Sequence, residues 1–118
     1  MKKTWIYSGS FLFLLGLSSC YYDVASELYP DENCNTPAVV NYAANVKLLI
    51  DSRCASSGCH VAGGNGPGDF SNSATAIAAG QDGSIEARSV VQRDMPPSQP
   101  LSNCEIALLE AWIAQGAN

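Results

Sequence analysis

The chain has 118 residues, with eleven Asp or Glu against six Lys or Arg and a formal net charge of -5. This length bounds it to one small domain, and the acidic balance excludes the basic surface with which nucleic-acid binders neutralise phosphates. A domain of this size buries only a modest core and often needs covalent staples or a cofactor.

Taken in chain order, residues 1–19 read as a leader. Lys2 and Lys3 form a basic start, Phe11 to Leu17 belong to a short apolar run, and Leu17-Ser18-Ser19-Cys20 ends it with small residues before a cysteine. This arrangement resembles the lipobox of bacterial lipoproteins, which implies cleavage before Cys20 and a diacylglycerol on its thiol. The alternative, an uncleaved membrane span, needs about 20 apolar residues, and Ile6 to Leu17 is too short and too interrupted by Ser and Gly. Cleavage removes both lysines, so four basic side chains then face eleven acidic ones, a net charge of -7.

Residues 20–33 carry four acids, one proline and no sustained period, and they read as a tether. Thirteen residues beyond the lipidated cysteine reach at most roughly 45 Å when extended. Tyr21 stands where some bacteria place the aspartate of inner-membrane retention. That favours the outer membrane, on its periplasmic face or at the cell surface, over the inner membrane within the cell envelope.

Thr36 to Arg53 carries the first helical pattern. Val39, Ala43, Val46 and Ile50 fall on one stripe, flanked by Tyr42 and Leu49. Thr36 followed by Pro37 suits a helix start, and Asn41 suits a shorter one. This helix leads into Cys54-Ala55-Ser56-Ser57-Gly58-Cys59-His60, which reads as a covalent haem attachment site. In the usual C-x-x-C-H form two thiols make thioethers with the haem vinyl groups and the adjacent imidazole is an axial iron ligand. Here four residues separate the thiols, and Ser56, Ser57 and Gly58 are small enough to bulge in a turn. His60 is the only histidine, and Met95 the only methionine besides Met1. One imidazole and one thioether are what a His/Met haem iron requires.

Beyond His60, the glycines and prolines of positions 63–68 exclude a helix or strand. With a haem present this loop covers one edge of it; otherwise it is a surface loop. Ser73 to Ala79 and Ser84 to Gln92 read as two short helices parted by Gly80-Gln81-Asp82-Gly83, with Ile77, Ile85, Val90 and Val91 as their main apolar residues. Arg88 and Arg93 are candidate partners of haem propionates, although such side chains are more often simply solvated. Met95 lies between Asp94 and Pro96-Pro97, a stiff segment that suits a ligand better than a core filler. Ser102-Asn103-Cys104-Glu105 matches a capping box, Ile106, Leu109, Trp112 and Ile113 follow at helical spacing, and Gly116 suits the stop. Trp112 and Ile113 are expected against the first helix.

The five cysteines leave several assignments open. If Cys20 carries lipid and Cys54 with Cys59 holds haem, Cys34 and Cys104 remain, and an exported chain meets oxidising conditions that favour a bridge. A Cys54 to Cys59 disulfide without haem competes, and four cysteines allow three connectivities. A zinc site lacks a second histidine and the usual paired spacing.

Ile50-Asp51-Ser52-Arg53-Cys54, Gly58-Cys59-His60, Met95-Pro96-Pro97, Leu101-Ser102 and Trp112-Ile113-Ala114-Gln115-Gly116-Ala117 resemble, in that order, small c-type cytochrome domains of bacterial lipoproteins, many from Bacteroidetes-like organisms. The resemblance spans roughly Tyr42 to Asn118. It implies an all-α, class I cytochrome c-like domain over 34–118, with His60 proximal, Met95 distal and a Cys34 to Cys104 bridge. Within such domains the longer C-x-x-x-x-C-H spacing also occurs.

The expected function is a monohaem c-type cytochrome: one covalent haem c per chain, a monomer anchored to a membrane by lipid, carrying single electrons rather than acting as an enzyme. Its acidic surface calls for redox partner proteins with a basic docking patch. Two other readings stand beside it. One is a haem-free, disulfide-stapled lipoprotein serving as an interaction module. The other is a haem sensor or small haem enzyme in which Met95 is displaced.

Overall fold

A computed structural model describes residues 33–118. The leader, Cys20 and nearly all of the tether lie outside the described residues. Among those described there is no strand, and no helix is long and apolar enough to cross a membrane. The domain is all-α.

The first helix, α1, begins as a π-turn over Tyr42–Val46 and continues as an α-helix over Lys47–Arg53. Of the two starts open in the sequence, the shorter applies: the Asn41 side chain accepts from the Ala44 N–H at 2.9 Å and caps the helix. Consequently Val39 precedes the helix and is 72% exposed, and Ala43 also faces solvent. The buried stripe is instead Tyr42, Val46, Leu49 and Ile50. The wider π-turn, in which the Lys47 N–H reaches back to the Tyr42 carbonyl, contributes to this shift of face.

Helix α2 spans Ser73–Gln81, capped by Asn72, whose side chain accepts from the Ala74 N–H. Its four alanines favour helix intrinsically. It runs two residues beyond the expected end, because Gly80 belongs inside it. A Cβ at Gly80 would lie 2.4 Å from Trp112 Cη2, so only glycine allows this backbone to approach the indole so closely. The break falls at Asp82-Gly83, where Gly83 takes φ +83°. Ser84 and Ile85 are already helical and run directly into α3, a π-helix over Glu86–Val91. Ile85 is buried as expected, whereas Val91 is 72% exposed.

Helix α4, Asn103–Ala114, carries both halves of the capping box: Ser102 accepts from the Glu105 N–H and the Glu105 carboxylate accepts from the Ser102 N–H. It stops in a Schellman motif, with the Gly116 N–H on the Ile113 carbonyl and the Ala117 N–H on the Trp112 carbonyl. Gly116 supplies the φ of +95° that this ending requires. Helix α4 packs against both α1 and α3. At the centre the fully buried Trp112 meets Tyr42 with ring centroids 5.7 Å apart, while Ile113 packs at the core's edge.

A disulfide joins Cys34 to Cys104, 70 residues apart. It ties the segment ahead of α1 to the first turn of α4. In the chain-entropy model a loop of that length stabilises by roughly 4 kcal/mol. Gln115 adds to the same attachment, accepting from the Val40 N–H at 3.0 Å.

The contact at Gly80 sets two effects against each other. Alanine gains about 1 kcal/mol of helix propensity, but overpacking against a buried indole costs about 1–3 kcal/mol. Gly80→Ala should therefore lower the denaturant unfolding midpoint; an unchanged or raised midpoint would show that the α2–α4 approach is not tight.

Candidate functional site

Helix α1 ends at Cys54, whose N–H still bonds the Ile50 carbonyl. The four residues between the two cysteines fold into a compact turn. The Cys59 N–H donates to the Ser56 carbonyl at 3.0 Å, Gly58 has φ +81°, and the His60 N–H donates to the Cys54 carbonyl at 3.2 Å. A positive φ at the third residue is what a type II turn requires, and glycine adopts it without steric cost.

His60 is held on every accessible handle but one. Its carbonyl accepts from the Phe70 N–H at 2.8 Å, and its ring stacks on Phe70 with centroids 4.4 Å apart and planes 5° from parallel. Nδ1 lies 2.8 Å from the Pro67 carbonyl oxygen. A carbonyl only accepts, so Nδ1 carries the proton, and in the neutral ring Nε2 keeps its lone pair.

The glycine-rich loop makes this grip possible. It is an ordered wrap around the cysteine–histidine segment, with the Asn65 N–H on the Gly58 carbonyl and the Gly66 N–H on the Cys59 carbonyl. A Cβ at Gly64 would fall 2.0 Å from the Cys59 oxygen, and one at Gly66 would fall 2.8 Å from His60 Nδ1.

Cys54, Cys59, His60 and Met95 line one cavity of about 700 Å³. Phe70, Ala79, Ile85 and Ser89 contribute to its wall, as do Pro96 and Pro97 after a cis Met95–Pro96 peptide. The volume falls within the range of about 300–1,000 Å³ common for small-molecule and cofactor sites. Neither Cys54 nor Cys59 is in a disulfide. Burial pushes the Cys54 thiol up to about 11, with the Arg53 guanidinium offsetting part of the effect. At neutral pH this thiol is protonated, unlike the thiolate of a nucleophilic cysteine.

Two arginines border the cavity, and both already have carboxylate partners. Arg53 Nε lies 3.0 Å from Glu105 Oε1, while its Nη2 donates to the Pro100 carbonyl at 3.1 Å. Arg88 Nε donates to both oxygens of Asp94, at 2.9 and 3.1 Å. Arg93, the other candidate for propionates, is exposed at φ +55° and does not line the cavity. Among the described residues no three His, Cys, Asp or Glu side chains gather as a metal-holding group.

The sequence reading has the loop of 63–68 close over this region but does not single out Phe70, nor the contacts of Pro67 and Gly66 with His60. The available signal was that Phe70 is the only aromatic residue between Tyr42 and Trp112, placed just beyond the glycine-rich stretch. No protein-family model, curated protein or solved structure matches the chain.

The fit of Gly66 against the imidazole is testable because a single histidine makes its ring resonances self-assigning. Gly66→Ala should shift those resonances and cost about 1–3 kcal/mol by overpacking. Gly83→Ala, at a positive φ with open space around it, should cost about 1 kcal/mol and leave the His60 ring signals in place. Equal ring signals in both variants would contradict the close contact.

Proposed function

We propose that the chain is a monohaem c-type cytochrome of a lipoprotein, anchored through Cys20 and carrying single electrons. One observation carries the reading: two free thiols, the only imidazole and the only methionine beyond Met1 border a single cavity, although Met95 is remote in sequence from the other three.

The residues fit a haem in kind as well as in place. Cys54 and Cys59 would hold it through thioethers, each S–H adding across a haem vinyl group. His60 would be the proximal ligand through Nε2. Its Nδ1–H bond to the Pro67 carbonyl is the outer hydrogen bond that metal-bound histidines almost always make, fixing tautomer and ring orientation. Met95 would be the distal ligand, its sulfur presented beside two prolines. A bound haem brings its own ring nitrogens, so only axial side chains are needed, and it supplies an iron that exchanges one electron.

An iron held by both His60 and Met95 would be shielded from water and peroxide, which favours a carrier over an enzyme. The haem-free alternative built on a Cys54–Cys59 disulfide has less support, since these thiols are unpaired while Cys34 and Cys104 are bridged. The acidic surface suits a redox partner with a basic patch, and association with it should slow as salt rises. A helical cytochrome c-like topology agrees with the all-α architecture and with the packing of α1 on α4.

Expression with a c-type maturation system, followed by a denaturing gel stained for haem, tests the reading. The unaltered protein should retain one covalent haem per chain, and the Cys54→Ser/Cys59→Ser double variant should retain none. A colourless unaltered protein with all four non-lipid cysteines in disulfides would overturn the proposal.

A further inference from the structure

The end of α3 grips the chain around Met95 in an unusual way. The Arg88 carbonyl accepts from the N–H groups of both Asp94, at 3.1 Å, and Met95, at 3.4 Å. The same residue's guanidinium holds the Asp94 carboxylate through Nε and, at 2.8 Å, through Nη2. Arg93, between them, takes the positive φ that turns the chain back. On the other side of Met95 stand Pro96 and Pro97, neither of which has an N–H to donate. The methionine is therefore tied to the helix from its N-terminal side, through Arg88.

We infer that Arg88 is a positioning residue for Met95: the Arg88–Asp94 clamp sets how firmly the sulfur is held at the cavity, and hence how readily an external ligand displaces it. The inference rests on the haem reading above. Both side chains of the clamp are about half exposed. Exposed pairs contribute little individually, although two-point geometry puts this one toward the upper end of that class. Loss of the clamp should thus change Met95 displacement by about threefold to fivefold. It should not abolish ligation.

The clamp makes a prediction that a propionate-binding Arg88 does not. If Arg88 acts through Asp94, removing either partner has the same effect. If it acts on a propionate, Asp94 is irrelevant to ligand access.

The test uses the haem-loaded full chain with Arg88→Gln, Asp94→Asn and the charge-swapped pair Arg88→Asp/Asp94→Arg. Covalent haem is first verified by denaturing-gel stain, then imidazole binding to the oxidised protein is titrated while the sulfur-to-iron charge-transfer band is followed. Both single variants should bind imidazole about threefold to fivefold more tightly and lose the band at correspondingly lower imidazole, and the swapped pair should recover most of the original affinity. Asp94→Asn alters only an exposed side chain, so it carries the test if Arg88→Gln fails to fold. Imidazole affinity unchanged in Asp94→Asn would overturn the clamp with the haem reading intact. An unaltered protein without haem would overturn both.

Discussion

The hydrogen bond from His60 Nδ1 to the Pro67 carbonyl is the constraint on which the site depends. It decides the tautomer of the ring and leaves Nε2 as a base, and it does so only while residues 64–70 stay wrapped on the cysteine–histidine segment. That wrap in turn needs a backbone without side chains at Gly64 and Gly66, because the carbonyl of Cys59 and the imidazole occupy the space a Cβ would take. Phe70 completes the cradle by stacking on the ring and donating its N–H to the His60 carbonyl. The loop's composition, which excludes regular structure, is thus what allows a close approach.

The rest of the fold keeps that cradle facing Met95. Trp112 anchors the centre, Tyr42 packs on it from α1, and Gly80 lets α2 lie against its ring. Around this core run covalent and ionic ties that meet at the first turn of α4. Cys104 there bonds Cys34, and Glu105 both completes the capping box and pairs with Arg53, the residue before Cys54. The Arg53 link to the Pro100 carbonyl extends the connection toward the segment that follows Met95. The cysteine–histidine segment, the methionine loop and the final helix are therefore joined through a few side chains, so that a small domain holds a large cavity open.

Much of this was legible in the sequence where local rules decide. The capping box of Ser102 and Glu105, the stop at Gly116 and the turn-forming residues between Cys54 and Cys59 each depend on neighbours a few positions away. The helical nature of the segments after Ser73 and Ser84 was equally readable. What escaped was set by tertiary contact. Gly80 resembles a helix breaker until Trp112 is seen to need its bare backbone. Val39 and Ala43 obey an apolar period and Val91 is apolar, yet the Asn41 cap and the π-turns give them to solvent. Neither Phe70 on His60 nor the double grip of Arg88 on the Met95 segment carries a sequence motif, since each joins residues whose chemistry is ordinary apart.

The proposed function makes His60 and Met95 the two protein ligands of one iron. X-ray absorption at the iron edge of the matured, oxidised protein addresses it most directly. One sulfur scatterer is expected beside a nitrogen shell, with the sulfur lost in Met95→Ala and the covalent haem retained. An iron surrounded by nitrogen and oxygen alone in the unaltered protein would contradict it.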